Sequence, residues 1–320
     1  VIRPIRAAKA WLSVLRHPIA AIRRVPPRAW IRYRFVFLVL APTLLLFTYL
    51  RIVPTAWAFV MSLFKWGLIK PAEAFVGLKN YTDLLGDDNF RQAFMNTTIF
   101  AVATTILSVL IALVLAAFLA RVVRGRIGGA LELLYFAPVL VPMVPVTLGW
   151  REIFNYQHGV LNSFLGIFGV TRIPWLSDQT WALVAVIILS VWKQLGYNMI
   201  ILIVGMRAIP RIYSEAAAVD GAGAWQQFRH ITMPLLAPVT LFVIVITTIS
   251  SYNVFTQVYV LASDVQGAPG KLVRVIVYDI FENGFRFFNM GYAAAEAVYL
   301  FLIIMVLTII QFRFLRGSGQ

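Results

Sequence analysis

Six apolar stretches, each long enough to cross a bilayer as a helix, constrain this chain more than any other feature of its sequence. They run over 35–63, 94–120, 131–150, 181–205, 236–262 and 291–312. About 20 residues of helix cross a hydrocarbon core. In lipid, each backbone N–H and C=O has to be satisfied without water, which a helix does within one segment. With 61% hydrophobic and 13% charged residues, a water-soluble monomer would expose far too much apolar surface, since soluble domains carry about 25% charge. Cysteine is absent, which removes disulfide scaffolds and cysteine-ligated metal sites. The sequence predicts an all-α integral membrane protein with six transmembrane helices.

Prolines mark two of these stretches. Pro42, Arg51 and Pro54 interrupt the first, so a kinked or broken helix is expected there. Pro138, Pro142 and Pro145 lie in the third. They fit either bent helices beside a pathway or a kinked packing helix, because neighbouring groups can satisfy the carbonyls that proline frees.

The net charge of +15 is a topology signal. Residues 1–34, the loops after the second and fourth stretches and the C-terminal tail hold 17 basic and two acidic residues; the opposite loops hold nine of each. The positive-inside rule then puts both termini in the cytoplasm. Nucleic-acid binding would need a folded basic surface with groove-reading elements, and none is visible. The basic N-terminal stretch has no small-residue cleavage site and the first apolar run is too long for a signal peptide. Residues 5–24 alternate apolar and basic at helical spacing, which fits an interfacial helix on anionic lipid or a basic arm. The expected organisation is a basic segment 1–34, a six-span domain 35–316 and a cytoplasmic tail 317–320.

The loops contain no ATPase. Gly267-Ala-Pro-Gly270-Lys271-Leu272 has the wrong glycine spacing for a phosphate loop and no Ser or Thr after the lysine. One loop stands apart, from Ala208 to Pro234 between the fourth and fifth stretches. Pro210 suits a helix start and Ser214 a cap. Glu215 favours the first-turn dipole, Ala216 to Ala218 give a small-residue helix, and Gly221 and Gly223 can end it. A second short helix follows, with Trp225, Phe228 and Ile231 on one side, and Pro234 begins the next span. The product is an L-shaped helix pair whose apolar face no membrane covers, the mark of an interaction surface.

Glu215-Ala-Ala-x-x-Asp220-Gly221-Ala222, then Phe228 and Ile231-x-x-Pro234, resembles the EAA loop of permease subunits of bacterial ABC importers, and its place before the penultimate span matches. Phe75-Val-Gly-Leu-Lys-Asn-Tyr81 with Asn96-Thr-Thr98, Trp192-Lys193 with Leu195-Gly-Tyr-Asn-Met199 and Ala208-Ile-Pro210, and Phe287-Phe-Asn-Met-Gly291-Tyr-Ala-Ala294 resemble the carbohydrate-uptake class, the maltose-type and glycerol-phosphate-type permeases, over roughly 35–316. The resemblance implies a bacterial inner-membrane subunit forming half of a pathway for a sugar or oligosaccharide, an acidic one included. Its partners would be a second, related permease, two cytoplasmic ATPase subunits that use ATP and Mg, and a periplasmic or extracellular solute-binding protein. It places Glu215, Ala216, Ala217, Asp220 and Gly221 in a coupling helix, with Phe228, Ile231 and Pro234 in its second arm. No catalytic residue, metal or cofactor is expected on this chain. Glu296 departs from the small residue that the last span of this family would carry.

Polar residues inside spans should face a cavity or one another. Lys193 with Tyr197, and Gln194 with Asn198, are spaced i, i+4; Tyr252, Thr256 and Tyr259 share a face, with Asn253 and Gln257 adjacent. Lys193, Tyr197, Asn198, Tyr252, Asn253, Thr256 and Gln257 are therefore candidate pathway residues, since aromatic and amide groups suit sugars. The same residues also suit interhelical hydrogen bonding, worth about 0.6 kcal/mol each. Lys193 and Arg51 would favour an anionic substrate if they line the pathway. A Lys193–Glu296 pair and a snorkelling Arg51 are the structural readings, and the stronger ones. A secondary transporter or channel is the alternative function, but only Glu132 and Glu296 are acidic within spans. A membrane enzyme has no support, as His17, His158 and His230 lie far apart.

Overall fold

The computed structural model describes residues 27–67, 73–121, 125–262 and 273–316. The basic 5–24 stretch, the 267–272 stretch, Arg124 and the 317–320 tail fall outside the described residues. The chain divides into two compact units, 1–57 and 58–320, the division falling within one helix. In the first unit, α1 (Pro27–Phe47) runs through a wide π turn (Thr48–Ile52) into α2 (Val53–Met61). A kinked or broken helix is expected there; the helix stays continuous, and a wide turn before Pro54 accommodates the N–H that proline lacks. Val53 N–H reaches the Thr48 carbonyl, and the Thr55 hydroxyl donates to the Arg51 carbonyl at 2.7 Å. The same device recurs at a π turn over Phe228–Thr232, again two residues before a proline, Pro234.

The second unit holds β1 (Phe64–Lys65) and β2 (Ala74–Phe75), an antiparallel pair with Phe64 opposite Phe75. After it come α3 (Lys79–Gly86), α4 (Asp88–Arg121), α5 (Gly125–Leu140), α6 (Met143–Ile153), α7 (Val160–Ile167) and α8 (Gln179–Arg207). Then follow α9 (Ile212–Val219), α10 (Ala224–Gln227), α11 (Met233–Tyr252), α12 (Thr256–Ala262), α13 (Ile276–Phe281) and α14 (Met290–Arg316). Five helical stretches of the described chain are long and apolar enough to cross a membrane: 33–61, 88–120, 179–207, 224–252 and 290–313. The α5–α6 pair, bent by 100°, makes a sixth if it is one span.

Lipid tails are as apolar as leucine, so close backbone approach holds these helices together more than hydrophobic burial does. The central contact is α4 on α8, where the small Ala112 and Ala116 pack in one buried cluster with Met199, Leu202 and Ile203. Gly196 lets α8 meet α5: a Cβ there would lie 2.1 Å from the Tyr135 carbonyl oxygen. A buried polar triad ties three helices, with Asn198 donating to the Ser108 hydroxyl at 3.4 Å and accepting from the Thr247 hydroxyl at 3.2 Å.

Residues 273–289 close one end of the bundle. Asn96 donates to the Arg274 carbonyl at 3.0 Å, and Ile276 N–H donates to the Thr97 hydroxyl at 2.9 Å. Arg274 pairs with Asp279 and reaches Asn89 at 3.0 Å. Burial pushes the Asp279 carboxyl up, against the opposing pull of Arg274. Glu296 is fully buried and accepts from Asn283 at 2.9 Å; the expected Lys193–Glu296 pair does not form. Gly291 donates to the Trp66 carbonyl at 2.9 Å, and a Cβ there would lie 2.2 Å from the Phe64 carbonyl oxygen. That contact explains the glycine opening the last span.

Two expectations need further correction. The fifth span ends at Tyr252, not 262, and α12 restarts after a break at 253–255. Tyr252, Thr256 and Tyr259 therefore do not share one continuous helix face. Ser214 does not cap a helix: it lies inside α9 and its hydroxyl donates to the Arg211 carbonyl at 2.8 Å.

Gly196→Ala should lower the thermal stability of the detergent-purified protein by about 1–3 kcal/mol, the scale of overpacking. Gly205→Ala meets first the Leu236 and Val239 side chains, not backbone, and should cost less in the same unfolding measurement. Asn198→Ala should cost about 0.6–1.7 kcal/mol, the range for polar contacts between membrane helices.

Candidate functional site

The α5–α6 break follows from proline chemistry. Pro142 and Pro145 have no N–H to donate, so the carbonyls four residues back, Pro138 and Val141, lose their helical donors. Lys193, midway along α8, supplies the replacement. Its ammonium donates to the Pro138 and Val141 carbonyls at 2.5 Å each and to Val139 at 3.4 Å. Three N–H groups meet three acceptors. Among the described residues no carboxylate pairs with Lys193, so its charge is balanced only by carbonyl dipoles.

A second break lies opposite. Asn253, Val254 and Phe255 separate α11 from α12, and the Asn253 amide donates to the Ile249 carbonyl at 2.7 Å, taking an acceptor of the last turn. The two breaks border a cavity of about 220 Å³, lined by Phe100, Met143, Ser190, Lys193, Gln194, Ser250 and residues 253–257. Gln257 donates to the Ser190 hydroxyl at 3.1 Å, bridging α12 to α8. Non-helical backbone at membrane depth is tolerated where it is buried in protein or lines a cavity, and broken helices mark binding sites in transporters.

Four of the seven candidate pathway residues thus meet: Lys193, Asn253, Thr256 and Gln257. The other three do not. Asn198 is buried in the Ser108–Thr247 triad, Tyr252 is buried in the cluster that holds Leu84 and Phe90, and Tyr197, one turn along α8 from Lys193, is 47% exposed and outside the cavity lining. Periodicity singled out Gln194 without carrying it into the candidate set, and missed Ser190 and Phe255; all three line the cavity. The sequence signal for Lys193 lay in Pro142 and Pro145, whose orphaned carbonyls need a donor from a neighbouring helix.

The other end of the bundle carries the 208–234 loop. Glu215 sits in the first turn of α9 and is exposed, as are Ala216 and Asp220; Ala217 is half-buried. Gly221 ends the helix at φ +81, a left-handed conformation that costs an L-residue about 1–2 kcal/mol. Ala222 N–H donates to the Ala217 carbonyl at 2.8 Å and Gly221 N–H to the Ala218 carbonyl at 3.1 Å, the paired bonds of a Schellman stop. The Gln226 side chain then accepts from Gly223 N–H at 2.8 Å. The expected second arm is no separate helix, because α10 continues through the Phe228–Thr232 turn into α11. Trp225 stacks on Phe228 with centroids 5.7 Å apart, while Ile231 is half-buried and Pro234 exposed. Arg207 and Glu132, 2.5 Å apart, tie α8 to α5 beside the loop. Ile212, Tyr213, Val219 and Trp225 are all at least half exposed, Val219 at 89%.

Residues 108–318 match the family described as binding-protein-dependent transport system inner membrane component. The chain is 34% identical over 288 residues to the probable ABC transporter permease protein YurN of Bacillus subtilis (strain 168), covering 89% of this chain and 97% of that protein. It is 33% identical over 280 residues to the sn-glycerol-3-phosphate transport system permease protein UgpA of Agrobacterium fabrum, covering 88% and 94%. A solved bacterial ABC transporter involved in the import of the acidic polysaccharide alginate contains a chain of the same fold. That chain matches with a TM-score of 0.78 over 98% of this chain and 100% of its own length, at 20% identity. The chain belongs to the family of inner-membrane components of binding-protein-dependent transport systems, as a permease subunit of the ABC-importer type.

Proposed function

We propose that this permease forms half of the pathway of an ATP-driven importer for a sugar or oligosaccharide, coupled to a separate ATPase through the 208–234 loop. The carrying observation is the face of α9. Ile212, Tyr213 and Val219 are exposed on a helix stopped by Gly221, with Trp225 exposed on α10 just after it, beside the Arg207–Glu132 tie between membrane helices. An apolar face of this kind, outside the spans, calls for a protein cover. A cytoplasmic ATPase subunit seated there can transmit closure as a movement of α9 against α5 and α8. The charge bias of the loops supports cytoplasmic termini, with α9 on the same side and residues 273–289 outside.

The substrate reading draws on the cavity. Its lining offers amide and hydroxyl groups, with the Lys193 charge behind them, beside Phe100, Met143 and Phe255, the mixture that hydrogen-bonds hydroxyls while covering apolar ring faces. An acidic sugar fits the unpaired charge of Lys193. One relative is named for sn-glycerol-3-phosphate transport and one neighbour for alginate import, both anionic. That alginate importer has also been solved in complex with an alginate pentasaccharide-bound periplasmic protein, which supports a solute-binding protein as a partner here. A related second permease and two ATPase subunits, using ATP and Mg, complete the assembly. This chain supplies no catalytic group.

In the full complex in proteoliposomes, Glu215→Ala and Gly221→Ala should lower ATP-driven uptake at least tenfold while the ATPase keeps hydrolysing. Uptake that is unchanged in both variants contradicts the coupling role, and uptake without any ATPase contradicts the importer. Asn253→Leu and Gln257→Leu should reduce uptake with the melting temperature held. Lys193→Met should lower both, since each orphaned buried acceptor costs about 1–3 kcal/mol.

A further inference from the structure

Four aromatic rings run from the 273–289 end of the bundle to the rim of the cavity. Phe285 lies 5.6 Å from Phe281, centroid to centroid. Phe281 lies 5.4 Å from Phe255 and 5.5 Å from Tyr259, and Phe255 stacks on Tyr259 at 5.3 Å with planes 25° apart. Phe255 lines the cavity. Phe255 and Tyr259 back onto the core yet stay half-buried, as does Phe281, and Phe285 is 60% exposed, so each ring keeps a surface open. Their placement is over-determined from behind. α13 is held by Thr97 and Asn96 of α4 through Ile276 and Arg274, and the π turn over Glu282–Arg286, which carries Phe285, is pinned by Asn283 on Glu296 and Arg286 on Glu282.

We propose that Phe285, Phe281 and Phe255 form an aromatic track that guides pyranose rings from this end of the bundle to the cavity lined by Asn253, Gln257 and Lys193. The proposal rests on the saccharide-importer reading and deepens it. The chemistry is complementary. An aromatic face is electron-rich, and the apolar face of a pyranose presents C–H hydrogens to it. Such contacts are weak and non-directional, so a saccharide can slide from ring to ring before Asn253 and Gln257 offer it hydrogen bonds. Continuity with the polar cavity argues for substrate as the occupant of this face.

The test uses the complete complex in proteoliposomes, with ATP-driven uptake of alginate tetrasaccharide and maltotetraose at millimolar concentration. sn-Glycerol 3-phosphate is the ringless control. Phe281→Leu and the exposed Phe285→Ser should each cut kcat/KM for a transported tetrasaccharide at least tenfold, with Phe281→Tyr close to wild type. ATP hydrolysis and recovery of all subunits on size exclusion should not change. Undiminished tetrasaccharide uptake in both variants overturns the track. So does loss of a subunit from both, which would show that the face is a protein contact. Uptake of glycerol phosphate alone leaves the importer standing and removes the track, whereas failure to take up any of the three overturns the saccharide reading and the track together.

Discussion

The ammonium of Lys193 on the carbonyls of Pro138 and Val141 is the contact on which the centre of this permease depends. Without it, two prolines would leave two acceptors bare at membrane depth, and the chain would have to straighten or find water. With it, the α5–α6 pair turns by 100°, residues 141–142 stay non-helical, and a cavity opens where a straight span would pack. Lysine suits the task because it carries three donors on a flexible stem. The Asn253–Phe255 break across the cavity solves the same problem with an amide that bonds back to its own helix.

Two regions with opposite mechanical characters flank this centre. The 273–289 end is tied down by side chains reaching across helices, among them Asn96, Thr97, Arg274 and Asn283, and by the backbone contact between Gly291 and Trp66. The 208–234 end is built from local bonds: the Schellman stop at Gly221, the Gln226 reach-back and the wide turn before Pro234. Local closure lets α9 move as a unit, because few of its bonds have to break. Force delivered to α9 would be passed through Arg207 and Glu132 to α8 and α5, the helices that Lys193 joins.

The sequence was legible where one physical signal dominates. Hydropathy located the spans because nothing else produces twenty apolar residues in a row, and the helix stopped at Gly221 was readable because its alanines and glycine have local roles, whereas the Ser214 cap and a separate second arm were not. The fifth span was read ten residues too long, since Val254, Phe255, Val258 and Val260 keep the stretch apolar through the break at Asn253. The pathway stripe failed with it, as a helical face exists only while the helix does. Asn198 and Gln194 belong to one helix and carry the same amide, yet one binds Ser108 and Thr247 while the other borders the cavity. They lie on one face of α8, and their height along the helix, one turn apart, separates them. Lys193 was noticed as a cation in a span, but its partners were backbone oxygens, which leave no trace in residue identity except through the prolines that orphan them.

The claim that α9 is the seat of a separate ATPase is open to a direct measurement, because the chain has no native cysteine. A single Val219→Cys variant in the assembled complex would be treated with a bifunctional thiol reagent with and without ATP, then probed for a cross-link to an ATPase subunit carrying its own single cysteine. The account predicts a cross-link whose yield changes with ATP, and protection of Val219→Cys from a water-soluble maleimide when the ATPase is present. Equal maleimide labelling with and without the ATPase, and no cross-link in either state, would contradict it.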